Sequence, residues 1–144
     1  MSRSKAHPLP ELPDRLHSVA IHLLRRLRVE DDRSGLSAPR LSALSVLVFR
    51  GELTIGELAA AEQVRPPSMT RLVRELEKSG LARTSPHPDD RRSTLVRATR
   101  KGAAMVQEGR SRRVRRLQEL LAGLTESDRR TLARAVEILR RVVT

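Results

Sequence analysis

Apolar residues along this chain recur mostly at spacings of three and four, which predicts a mainly helical protein. From Pro13 onward, Leu16, Val19, Ala20, Leu23, Leu24 and Leu27 form one apolar stripe, with Pro13 or Asp14 suited to a first turn. The stripe ends near Glu30, and "DDRSGLS" reads as a loop. A second helix should open at Ser37-Ala38-Pro39, with Ser37 as N-cap. Leu41, Leu44 and Val48 make that helix apolar over much of its circumference, so it should be buried up to Arg50-Gly51.

The next stretch changes character. Thr54-Ile55-Gly56-Glu57 has the spacing of a capping box and predicts a short helix, Ile55 to Ala61. A tight turn from Glu62 to Arg65 leads to Pro66 at a first helical position. Met69, Leu72, Val73 and Leu76 then share one face. At 100° per residue the opposite face carries Pro67, Arg71, Arg74 and Lys78, flanked by Ser68 and Thr70. Gly80 is the expected C′ residue. A short helix, a tight turn and a second helix with a basic outer face is the helix-turn-helix plan.

Two β-like runs follow, Leu81 to Ser85 and Ser93 to Ala98, joined by a tip from Pro86 to Arg92. A hairpin directly after such a helix is a wing. Its tip, "HPDDRR", holds two carboxylates and two arginines. An arginine entering a narrow minor groove meets enhanced negative potential. Asp90 would be repelled by DNA unless it bonds a neighbouring guanidinium and sets its direction.

Beyond the hairpin, Thr99 caps a long helix through Leu121, and Thr125-Glu126-Ser127-Asp128 opens a last one. Leu132, Val136, Leu139 and Val143 follow at intervals of four, three and four, a seam for a partner helix. The expected organisation is a disordered arm over 1–10, dimerisation helices over 11–34 and 100–144, and a winged helix-turn-helix domain over 35–99. The fold class is mainly α with a small β-wing.

Charge sharpens the picture. The 144 residues carry a formal net charge of +12, with a pI of about 11.7. Such an excess favours anionic partners, nucleic acid above all. The only lysines are Lys5, Lys78 and Lys101, and arginine forks suit phosphate and guanine better than ammonium does. Cysteine is absent, which excludes disulfides and thiolate metal sites. No apolar run reaches the ~20 residues of a membrane span, and the N-terminus lacks a signal-peptide core, so a cytoplasmic protein is expected. His17 and His22, five apart, are poorly spaced for one metal ion. No nucleophile arrangement, phosphate loop or metal motif stands out, so neither enzyme activity nor a cofactor is expected.

In "TIGELA", "MTRLVRELEKSGL" and "PDDRRSTLVRAT", in that order, the chain resembles the MarR family of bacterial transcription regulators from about residue 10 to 142. The resemblance implies a homodimer on a pseudo-palindromic double-stranded operator, with terminal helices at the dimer interface, here Leu12, Leu16, Leu132, Val136, Leu139 and Val143. It implies recognition-helix contacts from Ser68, Thr70, Arg71 and Arg74. It also implies a minor-groove Arg92 oriented by Asp90, with Arg91 on the backbone. Arg65 stands where such proteins commonly have a Ser or Thr cap, and joins the candidate contacts. A small-molecule effector would sit between the first, second and fifth helices, with His17, Arg40 and Phe49 as candidates. The function expected is a sequence-specific regulator, a repressor released by an effector. The alternative is a non-specific architectural nucleic-acid-binding protein, which the charge alone would allow. A small-molecule carrier or enzyme finds no constellation of polar groups to support it.

Overall fold

Residues 11–143 are described by a computed structural model of the chain. The arm expected over 1–10 lies outside the described residues. The element order is α1 (Glu11–Asp32), α2 (Ala38–Arg50), β1 (Leu53–Thr54), α3 (Ile55–Ala61), α4 (Pro66–Lys78), β2 (Ala82–Pro86), β3 (Thr94–Ala98), α5 (Arg100–Leu121) and α6 (Glu126–Val143).

Local chemistry accounts for most of these boundaries. α1 starts two residues before Pro13, because the first turn of a helix leaves its N–H groups unpaired and a proline there loses nothing. Ser37 holds the N-cap position of α2 in an extended conformation, but its side chain makes no cap bond, and Pro39 stiffens the first turn instead. The capping box of α3 is complete. The Thr54 Oγ1 accepts from the Glu57 N–H at 3.1 Å, and the Glu57 carboxylate accepts from the Thr54 N–H at 2.8 Å. α4 ends in a Schellman motif: the Leu81 N–H reaches the Leu76 carbonyl and the Gly80 N–H reaches that of Glu77, both at 2.9 Å. Gly80 takes φ +70, as a C′ glycine should.

β1 is a two-residue strand that the hydrophobic pattern does not announce. It pairs antiparallel with β3, giving a sheet of order β1-β3-β2. β2 and β3 run one residue later than expected at their starts, and align Ala82 with Ala98, Arg83 with Arg97 and Thr84 with Val96.

The chain forms two compact units that divide between Arg113 and Val114, inside α5. In the first, Leu44 of α2, Leu58 of α3, Met69, Val73 and Leu76 of α4, Leu81, Val96 of β3 and Val106 of α5 are fully buried. Each such side chain stabilises the fold by roughly 1.5–3 kcal/mol. The core is wholly aliphatic: Phe49, the one aromatic residue, is 64% exposed. Gly102 allows α5 to pass close to the wing root. A Cβ there would stand 2.2 Å from the Leu81 carbonyl oxygen. The second unit holds the end of α5 and α6. Thr125 and Asp128 cap α6 reciprocally. No residue of α1 or of α6 is buried within this chain.

Candidate nucleic-acid interface

α3, the turn and α4 set one helix outward on a buried base. Met69, Val73 and Leu76 anchor α4, while Pro67, Ser68, Arg71, Arg74 and Lys78 are exposed. Thr70 is half-buried, and its hydroxyl donates to the Pro66 carbonyl at 3.0 Å. Arg65 occupies the N-cap position without a side-chain cap bond and is exposed. Gln63 in the turn adopts φ 55, a left-handed conformation that lets seven residues of α3 meet α4 through so short a link.

The acidic residues of α4 explain why this face is so basic. Glu75 pairs with Arg40 of α2 at 2.6 Å. Glu77 accepts from the Thr84 N–H at 2.9 Å and from the Thr84 hydroxyl at 2.7 Å. Both carboxylates are turned into protein contacts, one bracing α4 against α2 and the other against the wing. Neither contact was legible as a motif: each joins two different elements with no shared spacing rule. Lys101 adds a third brace, its Nζ donating to the Ser79 carbonyl at 2.8 Å at the C-terminal end of α4.

At the wing tip the His87 N–H meets the Ser93 carbonyl at 3.0 Å, closing the loop. Asp90 Oδ1 accepts from the Arg92 backbone N–H at 2.9 Å. The charge pattern predicts Asp90 against a guanidinium; in the structure it holds the backbone instead, the short bond two residues along that Asp makes readily in turns. Arg91 and Arg92 are exposed. The Asp89 N–H donates to His87 Nδ1 at 3.1 Å.

The arginine-rich run of α5 is less open than its sequence suggests. Arg112 pairs with Glu108 at 2.7 Å, Arg113 with Asp31 of α1, and Arg116 with Glu119 at 2.7 Å. The interface candidates Leu12, Leu16, Leu132, Val136, Leu139 and Val143 are all between 36% and 82% exposed in the single chain. His17 is exposed, Arg40 is engaged by Glu75, and Phe49 faces solvent at the end of α2. A cleft of about 280 Å³ lies between α1, α2 and Arg113, lined by Arg28, Asp31, Leu41 and Ser45 among others, and none of those three candidates lines it. Among the described residues no three His, Asp or Glu side chains are grouped to hold a metal ion, and no helix is long and apolar enough to cross a membrane.

Glu57 stands at the foot of α3, in its capping box. Its carboxyl lies below the ordinary value because the Thr54 N–H and hydroxyl stabilise the charged form.

The family model described as "MarR family" matches residues 36–94, from two residues before α2 to the first residue of β3. The HTH-type transcriptional regulator MT0903.1 of Mycobacterium tuberculosis is 40% identical over 86% of this chain and 87% of its own length. The structure of a MarR family protein from Bacillus stearothermophilus superposes with a TM-score of 0.80, at 24% identity over 94% of each chain. A Staphylococcus aureus MepR variant, solved bound to an oligodeoxyribonucleotide, gives a TM-score of 0.71 at 17% identity, over 92% of this chain and 98% of that one. With its winged helix and its outward basic helix, this chain belongs to the MarR family, whose members are transcription regulators and not enzymes.

Proposed function

We propose that this chain is a homodimeric, cytoplasmic repressor that reads a pseudo-palindromic operator. The observation that carries the reading is the division of charge on α4. Ser68, Arg71 and Arg74 are exposed while Glu75 and Glu77 are held by Arg40 and Thr84. Arginine on such a helix can bond guanine O6 and N7 in the major groove. The exposed Arg91 and Arg92 give the wing a second, minor-groove contact. The oligodeoxyribonucleotide bound to the MepR variant supports DNA as the ligand. The open apolar faces of α1 and α6 support pairing with a second copy, since each exposes several large aliphatic side chains. A dimer seated across one stretch of duplex excludes other proteins from it, which makes repression the direct outcome. Release by a small molecule is supported by the cleft between α1 and α2, close to the lower end of ligand-pocket sizes, roughly 300–1,000 Å³.

Footprinting on genomic fragments captured by the protein tests this. Two protected half-sites about one helical turn apart, roughly 10 bp, are expected. Arg71→Ala or Arg74→Ala should weaken operator binding by about 1–3 kcal/mol, and random-sequence binding less. Uniform coverage without half-sites would replace this reading with that of an architectural protein.

A further inference from the structure

The wing root carries charge that the DNA-reading surface does not use. Arg83 of β2 and Arg97 of β3 are direct cross-strand partners. Strand alternation puts both on the sheet face opposite buried Val96. Like charges directly opposite one another destabilise a sheet, and neither guanidinium has a carboxylate partner among the described residues. Both line a groove of about 790 Å³ that also takes in Arg100 and Lys101 at the start of α5 and Glu77 at the end of α4. Glu77 is the one carboxylate there, and its Oε1 is committed to Thr84. α5 has no acidic residue in its first turn, so the positive end of the helix adds to the same field.

The geometry points to a binding site for a small multivalent anion, a phosphate ester or polycarboxylate, at the wing root. Its position argues for a free anion over DNA. Gly80, on the groove wall, lies twelve residues beyond Ser68, roughly 18 Å along a helix at 1.5 Å per residue. The wing tip is separated from it by the length of β2, five residues, or roughly 17 Å. The walls are the end of α4, the wing strands and the start of α5. An occupant would therefore remove the Arg83–Arg97 repulsion and fasten the wing to α5, behind the surface that meets the operator.

Pyrophosphate titrated into the full chain by calorimetry, at constant ionic strength, tests the site. Saturable binding at one site per chain is expected. Arg83→Gln/Arg97→Gln should weaken it about tenfold or more, as loss of two charge-assisted contacts would. The same variant should melt no lower than the wild type, because a repulsion is removed. Arg110→Gln/Arg115→Gln, which removes two exposed arginines elsewhere, should leave the affinity within about twofold. Both double variants should lose affinity for a random-sequence duplex to the same extent. Absence of saturable binding, or equal weakening in the two variants, overturns the proposal. So does a duplex defect confined to the wing-root variant with pyrophosphate affinity intact, which would make the groove a DNA contact.

Discussion

Glu77 on α4 accepts two hydrogen bonds from Thr84 on β2, through the backbone N–H at 2.9 Å and the hydroxyl at 2.7 Å. One carboxylate thereby fixes α4 to the root of the wing. Glu77→Ala should lower stability by about 1 kcal/mol, the net value of a half-exposed hydrogen bond, and speed exchange of the Thr84 amide. Glu77→Gln keeps an acceptor and should hold the Thr84 amide protected. Equal exchange rates in wild type and Glu77→Ala would show that the tie has no energetic weight.

Gly102 is required by close approach rather than by its backbone angles. Its added Cβ would meet the Leu81 carbonyl at 2.2 Å and Leu44 Cδ1 at 3.0 Å. Gly102→Ala should destabilise the fold by about 1–3 kcal/mol, as overpacked sites do. Gly109 in the same helix meets only arginine tips at 3.7 and 3.8 Å. Gly109→Ala should instead stabilise by up to about 1 kcal/mol through helix propensity. Opposite shifts in melting temperature are the expected result; a neutral Gly102→Ala would mean that α5 slides away from Leu81 at no cost.

How much of this was legible in sequence follows the range of each interaction. The Thr54–Glu57 capping box and the Gly80 terminator rest on contacts within five residues, and the apolar face of α4 shows in its helical period; each stands where the pattern put it. β1 escaped because two residues cannot show a period. The Arg40–Glu75 and Glu77–Thr84 contacts escaped because they depend on how elements pack. Arg40 shows the effect on site prediction. Its charge marked it as an effector contact, but packing gives it Glu75 as a partner. The role of Asp90 was half legible: its importance to the tip followed from charge, but its acceptor bond goes to the backbone.

Acid should weaken the cap at the foot of α3. The Glu57 carboxyl is held below its ordinary value by the Thr54 N–H and hydroxyl. A depressed folded value means that the stabilisation is complete above the unfolded value and is lost as pH falls through the folded one. Glu57→Gln is uncharged throughout. The melting-temperature advantage of the wild type over Glu57→Gln should therefore shrink below about pH 4.3, the ordinary glutamate range. A constant advantage down to pH 2.5 would contradict the assignment.

Leu139 is 36% exposed in the single chain. Leu139→Asp should therefore leave the protomer's helical circular dichroism intact while placing a charge in the proposed interface, at a cost of several kcal/mol if a partner buries it. Sedimentation should show a shift from dimer to monomer. An unchanged dimer would remove α6 from the interface.

The wing tip offers the sharpest test, because two accounts of Asp90 predict opposite signs. Removing a carboxylate near DNA should tighten binding if the tip is only a charged turn. If the Asp90–Arg92 backbone bond at 2.9 Å sets where the arginine points, its loss should weaken binding, since the loop must then be ordered at the moment of contact. Asp90→Asn separates charge from geometry: it removes the charge but keeps an oxygen acceptor for the Arg92 N–H. The expected result is that Asp90→Asn binds operator as well as the wild type or better, whereas Asp90→Ala binds more weakly. Arg92→Ala should lower the magnitude of the salt slope by roughly 2 for a dimer, one phosphate-neutralising charge per half-site. The double variant Asp90→Ala/Arg92→Ala should resemble Arg92→Ala alone, because no guanidinium is left to place. Fluorescence anisotropy at two salt concentrations reads all four variants. Tighter binding by both Asp90 variants would show that the carboxylate contributes only its charge.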